Sequence, residues 1–162
     1  MPWEHGYLPP KNERLGPELY AMTGWITFTT IRAYKDERPF TRDDLNEQTL
    51  QLLCEEADAY GCWVFTYCLM PDHIHFLTSP RATGISVLHF VDRYKGKSTN
   101  RSWNLGWRGK LWQPRFYDHL IGTEKELLSA IDYIRFNPVR KTLVQYAEEW
   151  PWSGQMHSFP FW

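Results

Sequence analysis

A chain of 162 residues with 43% hydrophobic and 23% charged side chains holds enough apolar material for one core and excludes a disordered or fibrous protein. No apolar run approaches the roughly 20 residues that cross a bilayer. The opening Met1-Pro2-Trp3-Glu4-His5-Gly6 lacks the basic start and apolar stretch of a signal peptide, so a cytoplasmic protein without a membrane partner is expected.

The formal charge of −1 is unevenly spread. Residues 81–115 carry eight basic side chains against Asp92 alone, whereas residues 1–80 carry six basic against twelve acidic and 116–162 four against six. Phosphate contacts depend on local charge density, so this segment keeps nucleic acid in play despite the neutral total. Cys54, Cys62 and Cys68 form no C-x-x-C pair and read as reduced core thiols.

In chain order, the prolines at 2, 9, 10 and 17 mark residues 1–23 as an irregular leader, and residues 24–162 read as a single domain. Gly24 to Ile31, β-branched and aromatic, predicts a strand. Thr41 starts a helix with Asp43 and Asp44 in its first turn, apolar along Leu45, Leu52, Leu53 and Ala57, ending near Tyr60-Gly61. Cys62–Leu69 and His73–Thr78 are strands of a hairpin turned by Met70-Pro71-Asp72. A helix follows through Ile85, Leu88, Val91 and Tyr94, and the glycines at 96, 106 and 109 make 96–110 partly loop. Trp112–Ile121 predicts a fourth strand, with Pro114 placing it at an edge or bulge. Thr123-x-x-Glu126 is a capping box opening a helix that stops near Asn137-Pro138, followed by an irregular aromatic tail. This order fits an α+β domain: a ferredoxin-like antiparallel sheet with helices packed mainly on one face.

Three groups of residues bear chemistry. In a strand, His73 and His75 project from one face while Ile74 enters the other, so two imidazoles are able to close on one cation; two ordinary core histidines are the plainer account of H-x-H. Tyr133 and Asn137, four residues apart on the capped helix, lie about 40° apart around the axis. Leu127, Leu128, Ile131 and Ile134 form the buried stripe of that helix, and small Ala130 leaves room beside the tyrosine. On spacing alone a rim residue is the plainer account of Tyr133. The third group is Arg93, Lys95, Lys97, Arg101, Arg108, Lys110 and Arg115, interleaved with Tyr94, Trp103, Trp107, Trp112 and Phe116. Cations that track phosphates beside rings that stack on bases suit single-stranded DNA, with Trp112 as a candidate platform; a solvated basic helix over core tryptophans is the alternative.

Four stretches taken together, Tyr67-Cys-Leu-Met-Pro-Asp-His-Ile-His75, Leu111-Trp-Gln-Pro-Arg-Phe-Tyr-Asp-His119, Asp132-Tyr-Ile-Arg-Phe-Asn-Pro-Val-Arg140 and Trp150-Pro-Trp-Ser153, resemble the REP-associated tyrosine transposases, relatives of the single-tyrosine HUH transposases. The resemblance runs from about Gly24 to Ser153. It implies that His73 and His75 bind a divalent cation, Mg²⁺ or Mn²⁺, that Asn137 completes the metal site, and that Tyr133 is the nucleophile. It also implies a single-stranded DNA substrate carrying a hairpin, cleaved through a 5′-phosphotyrosine and passed on by strand transfer. Asp72 stands where the family usually has asparagine. His119 reads as a proton carrier or a support for the metal ligands from the neighbouring strand or, more simply, as a hydrogen-bonded structural histidine. Other classes remain: a domesticated hairpin-binding protein that no longer cleaves, a nicking enzyme of replication or plasmid transfer, and a metallohydrolase using water. Either a monomer or a homodimer is expected, and the short segment between Ile121 and Glu124 favours Tyr133 serving the histidines of its own chain.

Overall fold

Five antiparallel strands organise the chain: β1 (Ile26–Arg32), β2 (Cys62–Met70), β3 (His73–Pro80), β4 (Tyr117–Ile121) and β5 (Ser153–Gln155), in the sheet order β4-β1-β3-β2-β5. The structure is a computed structural model and describes residues 16–160. Helices α1 (Asp43–Tyr60) and α2 (Val87–Asn104) connect β1 to β2 and β3 to β4, which gives the split β-α-β order of a ferredoxin-like sheet. Helix α3 (Glu124–Arg135) and the single turn α4 (Asn137–Arg140) follow β4.

The sheet is covered on both faces, and period-two alternation divides its side chains. Ile31, Val64, Leu69, Ile74 and Phe76 face α1 and α2, joining Leu45, Leu52, Leu53, Ala57, Val87, Phe90, Val91 and Tyr94 in one core. Ile26, Phe28, Phe65, Cys68, Met70 and Leu77 form a second core with Leu127, Ala130 and Ile134 of α3. Two of the three long helices thus share one face, as expected, and α3 takes the face carrying the histidines.

Strand β2 changes phase to serve both cores. Its pairing with β3 slips by one residue between Val64 and Tyr67, a β-bulge. Phe65 faces α3, Tyr67 the α1/α2 core and Cys68 α3 again. The bulge therefore sets Cys68 and Met70 opposite His75 and His73 on the α3 face.

Several boundaries differ from the sequence reading, each for a visible reason. Helix α1 begins at Asp43 after Arg42, not at Thr41, and ends as expected where Gly61 turns left-handed at φ 96°. Helix α2 does not loosen at Gly96 but runs to Asn104: Ser98 and Ser102 continue its buried stripe, and the Ser98 hydroxyl donates to the Tyr94 carbonyl at 2.7 Å. Small polar residues carry no apolar signal, so the stripe looked broken. Strand β4 starts at Tyr117 rather than Trp112; the stretch before it folds inward, meeting the end of β1 and the residues after it through the Ala33–Trp112 bridge, with Gln113 N donating to the Arg32 carbonyl at 2.9 Å and Tyr34 N to the Leu111 carbonyl at 3.0 Å.

Of the segment read as leader, residues 1–15 lie outside the described residues; Pro17–Ala21 form a 3₁₀ turn that seats Tyr20 in the core. The tail is more regular than expected. The Trp150 indole donates to the Leu69 carbonyl at 3.0 Å, Phe159 stacks on Phe65 at 4.3 Å, and β5 closes the sheet edge beside β2. Burial raises the thiols of Cys62 and Cys68 to about 12, so they behave as core residues.

On α3, the buried stripe is Leu127, Ala130 and Ile134, whereas Leu128 is 51% exposed. Ala130 is thus part of the core and not free space beside Tyr133. Ala130→Leu is expected to overpack this contact and cost about 1–3 kcal/mol in urea unfolding; an unchanged midpoint would mean that the α3–sheet interface is loosely packed.

Candidate active site

The histidine pair stands at the start of β3, where the Met70-Pro71-Asp72 turn is held by backbone bonds from Ala33 N to the Asp72 carbonyl (2.8 Å) and from Phe40 N to the Pro71 carbonyl (3.1 Å). Both side chains face α3 and are nearly buried, His73 at 6% and His75 at 5% exposure. Their Nε2 atoms approach to 3.1 Å. Their Nδ1 atoms are each engaged elsewhere: His73 with Asp72 Oδ1 at 2.6 Å and His75 with Thr30 Oγ1 at 2.7 Å. Burial first, then the charges of His73, Arg140, Arg32 and Lys141, push His75 well below the usual imidazole range, so it stays a neutral donor at physiological pH. The hydrogen bond from His73 lowers the Asp72 carboxyl.

Tyr133 lies in the last turn of α3, its ring edge-on to His75 at 5.7 Å and to Phe28 at 6.0 Å. The tyrosine and histidines of one chain therefore meet without a second copy. Asn137 does not share a continuous helix with Tyr133: α3 ends at Arg135, and Asn137 opens α4, with Pro138 in its first turn. The hydrogen bond from Phe136 N to the Asp132 carbonyl keeps the two helices nearly in step. Asn137 is 2% exposed, and its Oδ1 has no hydrogen-bond partner among the described residues. A buried acceptor left in that state is costly and calls for a ligand.

A cavity of about 560 Å³ joins these groups, lined by His73, His75, Tyr133 and Asn137 together with Thr30, Arg32, Arg38 and Lys141. The Arg140 guanidinium sits 3.9 Å above the Tyr133 ring, and its Nη1 donates to the Tyr133 carbonyl at 3.1 Å, where a helix end leaves carbonyls unsatisfied. Arg32, Arg38, Arg140 and Lys141 were not singled out in the sequence. Arg32 was legible in principle, since it follows Thr30 by two on the same strand face. Beside the cavity, Lys35 and Asp36 both adopt positive φ, 51° and 56°, a conformation non-glycine residues seldom take.

The spacing of the two imidazoles fits a divalent cation. Two donors in cis positions about 2.1 Å from an octahedral ion stand about 3.0 Å apart, close to the observed separation of the Nε2 atoms. The unpartnered Asn137 oxygen belongs to a residue lining the same cavity and is available as a third donor.

Comparisons with known proteins place the chain in a family. Residues 25–137 match the family described as transposase IS200 like. The chain belongs to the IS200-like transposase family. A putative REP-associated tyrosine transposase of Haemophilus influenzae is 27% identical over 143 residues, 81% of this chain and 80% of that one. A REP-associated tyrosine transposase of Escherichia coli is 30% identical over 94 residues, 57% of this chain and 52% of its own. The fold matches the structure of a REP-associated tyrosine transposase bound to a REP hairpin, with a TM-score of 0.72 at 21% identity, over 83% of this chain and 78% of that one.

The remaining expected site residues fall in several places. Trp112 is 4% exposed, its ring 4.9 Å from Phe40 and its indole donating to Ser98 Oγ at 2.8 Å; the expected base-stacking role does not fit this core position. Arg93 and Lys97 face the buried carboxylate of Glu56 across the α1–α2 contact, which ties both to the helix pair. Lys95 donates to the Pro114 carbonyl at 3.0 Å, and it lines an open groove of about 330 Å³ with Lys110 and Asn100. Arg101, Arg108 and Arg115 are exposed. His119 is paired with Glu126 at the start of α3, which accounts for it as a structural tie.

A second cluster brings ligand atoms of Cys54, Asp58 and His157 within 4.8 Å of one another. Val64 N donates to His157 Nδ1 at 2.9 Å, so the proton of a neutral ring lies on Nε2, which faces Asp58 at 3.0 Å. Arg81 also pairs with Asp58. A protonated nitrogen beside a guanidinium does not bind a cation, and the cluster is an ion-paired network.

At the α3 N-terminus the Thr123 hydroxyl accepts from Glu126 N at 3.1 Å, while the Glu126 carboxylate accepts from Gly122 N at 2.9 Å instead of the Thr123 amide expected of a capping box. Burial works to raise the Glu126 carboxyl, but the Gly122 amide and His119 outweigh it and the net shift is downward. A folded-state pKa below the unfolded one stabilises above the unfolded value, near ~4.3, and that contribution is lost as pH falls through the folded pKa. Glu126→Gln is expected to flatten the acid limb of stability between about pH 5 and 3 in urea melts; an unchanged acid limb would remove the carboxylate from this tie.

Proposed function

We propose that the protein cleaves and rejoins single-stranded DNA beside a hairpin through a covalent 5′-phosphotyrosine on Tyr133, with Mg²⁺ or Mn²⁺ held by His73, His75 and Asn137. The observation that carries this reading is the placement of the Tyr133 ring against His75 in a cationic cavity that also holds the orphaned Asn137 oxygen. A hairpin substrate is supported by the structural relative, which is bound to a REP hairpin.

A bound cation would draw charge from the scissile phosphate and fix its orientation. The protein supplies the rest. Arg32, Arg38 and Lys141 line the cavity and meet the non-bridging oxygens and adjoining phosphates. Arg140 keeps the Tyr133 ring facing the cavity. The Tyr133 oxygen bonds to phosphorus, the bond to the 3′-oxygen breaks, and the phenolic proton is balanced by the proton on the departing 3′-hydroxyl. Because the ester energy is retained in the phosphotyrosine, a different 3′-hydroxyl can attack it, restore Tyr133 and join two strands. Neutral imidazoles suit ligation better than proton transfer, in line with the direction in which His75 is shifted.

Duplex contacts belong on the basic flank of α2 and the loop after it, through Arg101, Arg108 and Arg115 with the groove of Lys95 and Lys110. Trp103, 51% exposed, takes the place of Trp112 as the ring available for stacking.

Incubating the chain with single-stranded hairpin oligonucleotides and Mn²⁺ is expected to give a covalent protein–DNA band on a denaturing gel. Tyr133→Phe removes the band and leaves hairpin affinity within about twofold; an adduct formed by Tyr133→Phe refutes the nucleophile assignment. His73→Ala or His75→Ala abolishes metal-dependent cleavage, and full activity in chelator refutes the cation. If wild type binds hairpins but never yields an adduct, the chain is a binding protein on a transposase fold. Each of Arg101→Ala and Arg108→Ala is expected to reduce the slope of log affinity against log salt by about 1, and an unchanged slope moves the duplex to another surface.

A further inference from the structure

We propose that Asp72 is a positioning residue of the metal centre: its carboxylate holds His73 with the Nε2 lone pair turned toward His75, and it supplies negative charge that the ligands themselves lack. The inference rests on the reading of His73 and His75 as cation ligands.

Asp72 Oδ1 lies 2.6 Å from His73 Nδ1. A carboxylate only accepts, so the imidazole proton is on Nδ1 and the lone pair on Nε2. That lone pair points at His75 Nε2, 3.1 Å away. The other imidazole is held differently, by the uncharged hydroxyl of Thr30 on the neighbouring strand. Two imidazoles and an amide oxygen are all neutral donors, whereas Mg²⁺ and Mn²⁺ favour anionic oxygen. A carboxylate bonded to the far nitrogen of a ligating histidine makes that ring a stronger donor and offsets the charge of the ion.

The backbone makes this arrangement rigid. Ala33 N donates to the Asp72 carbonyl and Phe40 N to that of Pro71, so the turn carrying the carboxylate is pinned to the segment after β1. Asparagine at this position would still accept the Nδ1 proton but would bring no charge.

The test is Mn²⁺ binding to the full chain, followed by the electron paramagnetic resonance signal of free Mn²⁺, in wild type, Asp72→Asn, Asp72→Ala and His73→Ala, with thermal melts recorded without metal. His73→Ala is expected to lose the site. Asp72→Ala is expected to bind about 10- to 100-fold more weakly with an unchanged melt, and saturating Mn²⁺ should restore its rate of adduct formation, which a merely misfolded site would not allow. Asp72→Asn should fall between wild type and Asp72→Ala, and should be weaker than wild type by at least about threefold; it decides the matter if Asp72→Ala does not fold. Wild-type affinity in the variants overturns the proposal. So does a loss as complete as that of His73→Ala, which would make Asp72 a ligand. If wild type shows no Mn²⁺ site that His73→Ala removes, the metal reading itself falls.

Discussion

Strand β3 is buried along its whole length, and its alternation constrains everything built around it. Every second residue must satisfy the apolar layer of α1 and α2, as Ile74 and Phe76 do. The residues between them point the other way, and at the start of the strand those are His73 and His75. Burying two imidazoles is tolerable only with polar partners, and each has one on Nδ1, a carboxylate in one case and a hydroxyl in the other. The same constraint bears on the location of Tyr133. A side chain that is to meet both histidines must come from the face opposite α1 and α2, and α3 is the element packed there.

Chemistry and the strongest basic segment consequently lie on different parts of the molecule. The histidines, Tyr133 and Asn137 share a cavity beneath α3 and α4. The basic residues of 93–115 belong to α2 and the loop that follows it. Charge within that segment has more than one use: Arg93 and Lys97 serve the buried Glu56 and hold α1 to α2, while Arg101, Arg108 and Arg115 are exposed. A run of cations is therefore not uniformly a ligand surface.

The sequence made legible what periodicity and capping encode. The strands of the hairpin, the stripe of α1, the Thr123 start of α3 and the facing of His73 with His75 all follow from spacing and residue type. What escaped had a physical cause in each case. Ser98 and Ser102 fill a buried stripe with small hydroxyls, hiding half of α2. Ser153-Gly154-Gln155 has no β-branched residue, so only its register with β2 identifies it as a strand. Trp112 advertises a ring but not which side of the sheet it enters. The cavity's cations come from the end of β1, the segment before α1 and the residue that follows α4, and no local pattern joins Arg32 and Arg38 to Lys141.

The bulge in β2 bears on how this lineage can change length. Substitutions on the solvent side of α2 alter charge one position at a time and leave the cavity intact. Losing a single residue between Val64 and Tyr67 would do no more than remove the bulge. Both of those residues already face α1 and α2, so one residue between them makes the ladder regular and leaves Leu69 and Met70 on their present faces. A residue lost between Tyr67 and Met70 has no such slack, because side chains on one side of the gap would exchange faces and Met70 would no longer stand beside His73. Length variation in descendants should therefore be tolerated at the bulge and purged from the stretch after it, making the gap-free span from Tyr67 to His75 a more durable ancestral mark than any one of its residues.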